Sequence, residues 1–124
     1  MVTNEMIRKI PKVELHDHLD GGVRPSTIME LAKEYGVELP ADTPDELAEW
    51  FHRGANRKEL SLYLEGFGLV LEVMQTREAL ERIAREAIED LAKDNVVYVE
   101  IRFAPIQHLT KGLNLEAVVE AVLT

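Results

Sequence analysis

The sequence predicts an α/β protein that forms the amino-terminal part of a (β/α)8 barrel, with its first two strands and the helices between them. Residues 12–20 and 96–103 have the alternating or β-branched character of short strands, and a long stretch of helical periodicity separates them. Such a crossover joins parallel strands, which occur almost only in larger, fully covered sheets. Because a complete barrel takes about 250 residues, residues 1–124 are expected to be one fragment of a single barrel domain.

The first predicted strand covers residues 12–20 and ends at a pair of glycines. Val13, Leu15 and Leu19 share one parity of this segment. The other parity includes Glu14, His16, His18 and Asp20. This period-two alternation predicts that the four polar side chains lie on one face of the strand.

Three helices are predicted in the first part of the crossover. Pro25 suits the first position of a helix that ends at Gly36. A capping box at residues 43–46 begins a second helix over residues 44–52. A third helix near residues 59–74 has an apolar stripe, although the two glycines inside it lower its intrinsic helix propensity.

A fourth helix and the second strand complete the predicted crossover. Thr76 is placed to cap a helix that runs to about Lys93. The β-branched run at residues 96–103 follows, and Pro105 ends it. Asn114 then serves as the N-cap of a last helix, whose apolar face begins the next unit of the barrel.

Composition narrows the classes of function. The net charge is −9 with no cluster of Lys or Arg, which disfavours binding to nucleic acid or to an anionic membrane. No apolar run approaches the roughly 18 residues of a membrane span, and the first residues lack a secretory signal pattern. The absence of cysteine excludes thiolate metal sites and fits a cytoplasmic location. Any metal ligands must therefore be His, Asp or Glu, which favours zinc or a similar ion.

His16 and His18 are the candidate metal ligands. Two residues apart on a strand, their Cα atoms lie roughly 6.6 Å apart on one face, close enough for both imidazoles to reach one zinc ion. They also stand at the carboxyl end of the strand, where barrel enzymes keep their active sites. Spacing alone leaves open a pair of histidines that are merely hydrogen-bonded in a barrel interior.

Three segments resemble the adenosine deaminase family, within the larger group of zinc amidohydrolases. Residues 12–21 (KVELHDHLDG) are similar to the family's opening strand, residues 24–28 (RPSTI) to its first helix and residues 97–105 (VYVEIRFAP) to its second strand. The resemblance implies a (β/α)8 barrel of the metal-dependent hydrolase type with one zinc ion. It also implies hydrolysis of the 6-amino group of adenosine, a purine nucleoside, or of 2′-deoxyadenosine to give inosine or its deoxy form and ammonia.

The resemblance assigns roles to individual residues. It implies that His16 and His18 are the first two zinc ligands, and that Asp20 accepts a hydrogen bond from the ribose 5′-hydroxyl. It implies that His18 and Gly21 also contact the substrate. An apolar lid over the sugar is expected from Tyr63, Leu64 and Phe67. Ordinary packing of a helix against the barrel is the alternative interpretation of these three residues.

The catalytic set is expected to be incomplete. In the family, a later glutamate acts as general acid and base, and further residues complete the zinc site, so these groups are expected beyond Thr124. A catalytic zinc ion usually has three protein ligands, and the motif supplies two. We therefore expect the chain alone to be inactive and to bind zinc weakly. A further segment or a companion chain is expected to complete the barrel.

Other functions stay open on the sequence. The substrate could be adenine or a 5′-modified adenosine, although adenine deaminases usually carry Glu where Asp20 stands. A metal-dependent phosphoesterase can also open with His-x-His, but the stretch after His18 offers only Arg24 as a phosphate ligand. A non-catalytic barrel fragment is the third alternative.

Two further predictions concern neighbours of the motif. His108, in a loop after the second strand, is interpreted as structural. Glu14 should point into the barrel, and we expect it to pair with Arg102 because an isolated buried charge is costly.

Overall fold

The computed structural model of the chain describes residues 1–55 and 60–124, with the backbone alone for Ala55 and residues 60–63. The helices are α1 (Asn4–Lys9), α2 (Pro25–Tyr35), α3 (Pro44–Ala55), α4 (Leu60–Val73), α5 (Arg77–Lys93) and α6 (Leu115–Leu123). The strands are β1 (Lys12–His18) and β2 (Val96–Arg102), and each is followed by a 3-10 turn, at Leu19–Gly21 and at Pro105–His108. In the described part of the chain, no helix is long and apolar enough to cross a membrane.

The two strands form a parallel pair, as the sequence predicts. Lys12 lies opposite Val96 at one end, and His18 lies opposite Arg102 at the other. Helices α2 to α5 make the crossover between the strands. Because the strands are parallel and paired at their ends, both carboxyl ends open at the same edge of the sheet.

The helix boundaries follow the predicted caps. Gly36 ends α2 with a left-handed φ of 69°, which an L-residue with a side chain rarely adopts. The side chain of Thr76 accepts a hydrogen bond from the amide of Ala79 at 3.2 Å. Asn114 does the same for the amide of Ala117 at 2.8 Å. The caps of α2, α5 and α6 are therefore confirmed.

Helix α1 was not predicted, because it buries no residue and so has no apolar periodicity to detect. Local hydrogen bonds stabilise it instead. Thr3 caps its first turn by accepting from the amide of Met6 at 3.2 Å. At the other end, the Lys12 ammonium donates to the carbonyl oxygens of Ile7 and Ile10 at 3.0 and 3.2 Å.

The hydrophobic core lies among the helices and on one side of the strands. Its largest fully buried apolar members are Leu19, Ile28, Leu47, Val73, Met74, Leu80, Ile83 and Val118. Ile101 and Phe103 pack against this cluster from β2 and the residue that follows it. In β1, by contrast, Val13 and Leu15 are 56% and 59% exposed. The apolar parity of β1 is therefore uncovered within the described residues.

The expected ion pair between Glu14 and Arg102 is not formed, and that prediction is wrong. Arg102 lies opposite His18, whereas Glu14 lies opposite Val99. Val99 and Arg102 are three residues apart, about 10 Å along a strand at roughly 3.3 Å per residue, so Arg102 is not beside Glu14. Both side chains are exposed, so neither charge needs a partner to offset burial.

Candidate active site

The imidazoles of His16 and His18 converge at the carboxyl end of β1. Their Nε2 atoms are 3.3 Å apart, and their rings are stacked with centroids 5.3 Å apart and planes 27° apart. Both side chains are exposed. Strand alternation therefore places the two rings side by side, as the spacing predicts.

The separation of the two nitrogens fits a shared tetrahedral ion. Zinc bonds to imidazole nitrogen at about 2.0–2.1 Å, so two such ligands at tetrahedral positions lie about 3.3–3.4 Å apart. The observed Nε2 separation is 3.3 Å. Among the described residues no group of three or more His, Cys, Asp or Glu could hold a metal ion. The described chain thus offers a two-imidazole half-site whose geometry suits zinc.

The Asp20 carboxylate lies near the imidazole pair, but it belongs to a turn and not to the strand that the sequence predicts. It lies in the 3-10 turn Leu19–Gly21, so β1 ends two residues before it and strand alternation does not orient it. Its Oδ1 atom is nevertheless 4.0 Å from Nδ1 of His18, and its side chain is only 13% exposed. Leu19, 2% exposed, anchors the turn in the core. The carboxylate is close to the imidazole pair but is not hydrogen-bonded to it.

Most of the predicted site residues line one open cavity of about 720 Å³. Those present are His16, His18, Asp20, Gly21, Leu64 and Phe67. Phe67 also lies beside Gly21, where an added Cβ would be 3.9 Å from its ring. Tyr63 was predicted to belong to the same wall, but its side chain lies outside the described residues.

The second strand contributes residues to the cavity that the motif search missed. They are Arg102, Phe103, Ala104 and Gln107. Their signal was available in the sequence, because carboxyl ends of adjacent parallel strands share one edge. Arg102 is the cation among them, whereas the sequence predicted it only as a partner of Glu14 and named only Arg24 as a possible phosphate ligand. Arg24 itself is turned toward α5, where it holds Asp90 at 2.6 and 2.7 Å.

A second cavity of about 410 Å³ lies behind the turn that carries Asp20. Asp20, Gly21 and Phe67 line both cavities, so they form a shared wall. On the far side the lining is mostly apolar and includes Trp50 and Phe51 of α3. Gly66 permits this arrangement, because a Cβ there would meet the ring of Phe51 at 3.2 Å.

His108 is a buried structural residue, in agreement with its interpretation from the sequence. It is 1% exposed, and its Nδ1–H donates to the carbonyl oxygen of Met74 at 2.9 Å. Burial lowers the pKa of His108 below its usual range, although the Met74 hydrogen bond and the charge of Asp20 oppose that shift. The neutral ring therefore joins the turn after β2 to the carboxyl end of α4.

Comparison with known sequences identifies close relatives. A family model described as adenosine deaminase matches residues 11–124. An adenosine deaminase of Mycolicibacterium gilvum is 59% identical over 123 residues, which cover 98% of this chain and 34% of that protein. Adenosine deaminase 1 of Streptomyces coelicolor is 58% identical over 119 residues, which cover 95% of this chain and 30% of that protein. The chain therefore spans about a third of the length of these relatives.

Solved structures of related enzymes have the same arrangement. An adenine deaminase from Arthrobacter aurescens matches with a TM-score of 0.76 and 31% identity, covering 91% of this chain and 33% of that one. An N6-mAMP deaminase from Arabidopsis matches with a TM-score of 0.76 and 33% identity, covering 96% of this chain and 35% of that one. The family model covers nearly the whole chain, and the sequence relatives carry one name. The chain belongs to the adenosine deaminase family, a family of aminohydrolase enzymes.

Proposed function

We propose that this chain is the amino-terminal part of a (β/α)8-barrel adenosine deaminase, which hydrolyses adenosine or 2′-deoxyadenosine to inosine or 2′-deoxyinosine and ammonia. The observation that carries the proposal is the pair of Nε2 atoms 3.3 Å apart beside the mostly buried carboxylate of Asp20. The identity of 52–59% to proteins named adenosine deaminase supports the nucleoside over other adenine compounds.

His16 and His18 are proposed to hold one zinc ion through their Nε2 atoms. When bound, zinc would lower the pKa of a water molecule and so supply a nucleophile at neutral pH. Ligation requires neutral rings with the proton on Nδ1, which leaves each Nδ1–H as a donor. The family is in general metal-dependent, which agrees with this assignment.

Asp20 is proposed to accept a hydrogen bond from the ribose 5′-hydroxyl. The carboxylate lies 4.0 Å from the nearest His18 nitrogen, beyond hydrogen-bond range, so it retains acceptor capacity for a ligand. Gly21 contributes backbone rather than a side chain at the adjacent position, which leaves room for the sugar. Leu64 and Phe67 form the apolar wall of the cavity and would exclude water from the bound nucleoside.

The remainder of the barrel is proposed to come from a further segment or a companion chain. It would supply the third zinc ligand and the glutamate that exchanges protons with the purine ring. The uncovered side chains of Val13 and Leu15 support this, because parallel strands are normally buried on both faces. This chain alone should therefore bind zinc weakly and lack activity.

The experiment is a substrate panel with the complete protein and its His16→Ala variant. We expect ammonia release from adenosine and 2′-deoxyadenosine, and a fall in kcat/KM of about a thousandfold or more in the variant with loss of zinc. His52→Gln, which alters a histidine outside the imidazole pair, should keep its zinc. Full activity of His16→Ala would contradict the proposed ligand.

The second cavity favours one alternative, a deaminase of 5′-modified adenosines. Asp20 lines both cavities, so a group larger than the 5′-hydroxyl would extend from the first cavity toward the second. The same panel separates the two functions by including adenine, AMP and a 5′-alkylthio adenosine. A higher kcat/KM for a 5′-substituted compound than for adenosine would select the alternative. A phosphate monoester as sole substrate would instead select the phosphoesterase.

A further inference from the structure

The turn that carries Asp20 is anchored in the core on its amino-terminal side, whereas two glycines follow it on the other. Before Asp20, Leu19 is 2% exposed and holds the chain in the core. After it come Gly21 and Gly22, and a Cβ at Gly22 would meet nothing within 4 Å. Glycine has the greatest backbone freedom of any residue. Beyond the glycines the chain is next held at Val23, which packs against the core, and at Arg24, whose side chain binds carboxylates of α5.

Arg24 directly precedes α2, and its side chain binds carboxylates on the surface of α5. Its Nε and Nη2 atoms donate to the two carboxylate oxygens of Asp90 at 2.6 and 2.7 Å. Nη2 also reaches Glu89 at 3.2 Å, and Nη1 lies 3.7 Å from Glu86. A two-point guanidinium–carboxylate contact fixes direction as well as distance, which a lysine ammonium does not.

The carboxylates that hold Arg24 are themselves fixed. Thr27 and Arg82 both donate to Glu86, whose side chain is 12% exposed. The hydrogen bond from Arg24 lowers the pKa of Asp90 to about 2, so its carboxylate is charged at every working pH. The guanidinium is therefore attached to helix α5, which packs in the core.

We propose that Arg24 is a positioning residue for substrate binding: by holding the segment from Asp20 to Pro25 against α5, it keeps the Asp20 carboxylate beside His18 and so sets the affinity for the substrate's 5′-hydroxyl. The inference rests on the proposed function. Arg24 does not line the cavity beside the imidazoles. It therefore acts through the backbone of the glycine pair rather than by touching the substrate.

This arrangement predicts a selective kinetic change in the complete protein. In Arg24→Gln the KM for adenosine should rise roughly tenfold while kcat stays within about twofold, because a contact made equally in ground and transition states is lost. For 5′-deoxyadenosine, which has no hydroxyl for Asp20, KM should change by less than about twofold. Arg24→Lys should restore part of the affinity for adenosine, since it keeps the charge without the two-point contact.

Two further variants make the test specific. Arg77→Gln removes an arginine of the same helix, α5, that pairs with Glu81 and Glu120 instead, and it should leave both KM values unchanged. Asp90→Asn weakens the contact from the other side and should reproduce the selective rise, which decides the matter if Arg24→Gln does not fold. An equal rise for both substrates, or no rise for either, would overturn the inference. A wild-type protein inactive on adenosine would instead contradict the proposed function.

Discussion

Polar side chains lie both at the end of β1 and at the interface between α2 and α5, but they differ in exposure and in hydrogen bonding. At the strand end, His16 and His18 are exposed and have each other as near neighbours. At the helix interface, Glu86 is buried and receives hydrogen bonds from Thr27 and Arg82. The imidazole nitrogens at the strand end are accessible to a ligand, whereas the polar atoms at the interface are hydrogen-bonded to each other and hold the helices together. Substitutions of the imidazole pair should therefore affect function, whereas substitutions of the buried residues at the interface, such as Thr27, should affect stability.

The largest expected change in stability is at His108, which is buried in the turn after β2. His108→Ala should lower the free energy of unfolding by about 3 kcal/mol, because it leaves the Met74 carbonyl without its donor and opens a void. Urea denaturation of the complete protein measures this. Ile106→Ala is the matched control, since Ile106 lies in the same 3-10 turn and is 72% exposed, and it should cost less than about 0.5 kcal/mol. Equal costs would remove the distinction between the two positions.

The buried hydroxyl of Thr27 should give a smaller effect. Thr27→Val keeps the shape but removes a donor to Glu86, and we expect a loss of about 1–2 kcal/mol in the free energy of unfolding. Ser26→Ala, at the exposed neighbouring position, should change it by less than about 0.5 kcal/mol. Kinetic constants for adenosine should stay near wild type in Ser26→Ala. If Thr27→Val were neutral, the network would not stabilise this interface.

The smallest effect should be the pH dependence of the contact between Arg24 and Asp90. The folded pKa of Asp90 is about 2, below its ordinary value of 3.8, because the Arg24 hydrogen bond stabilises the carboxylate. A depressed carboxyl pKa contributes stability above the unfolded pKa and loses it as pH falls through the folded pKa. The stability advantage of wild type over Asp90→Asn should therefore shrink between about pH 4 and pH 2. An advantage that grows on acidification would have the wrong sign.

The sequence was sufficient where local chemistry decides the structure. The caps at Thr76 and Asn114 and the left-handed Gly36 follow from side-chain hydrogen bonding and backbone sterics alone. The convergence of His16 and His18 follows from strand alternation. These features need no knowledge of the remaining chain.

The sequence was insufficient where tertiary packing decides. The 3-10 turn that orients Asp20 forms because Leu19 is buried among the helices, which periodicity in β1 does not reveal. The expected pair between Glu14 and Arg102 failed because the strand register places Arg102 opposite His18, and that register is not visible in the sequence. The contacts of Arg24 join residues 65 and 66 positions apart, so they could not be read from local patterns.

The most direct test of the central claim is X-ray absorption at the zinc edge on the complete protein. We predict one zinc ion per polypeptide with imidazole nitrogens at about 2.0–2.1 Å, and loss of the bound ion in the His16→Ala His18→Ala double variant. A zinc ion that remains bound with the same nitrogen shell in that variant would contradict the account.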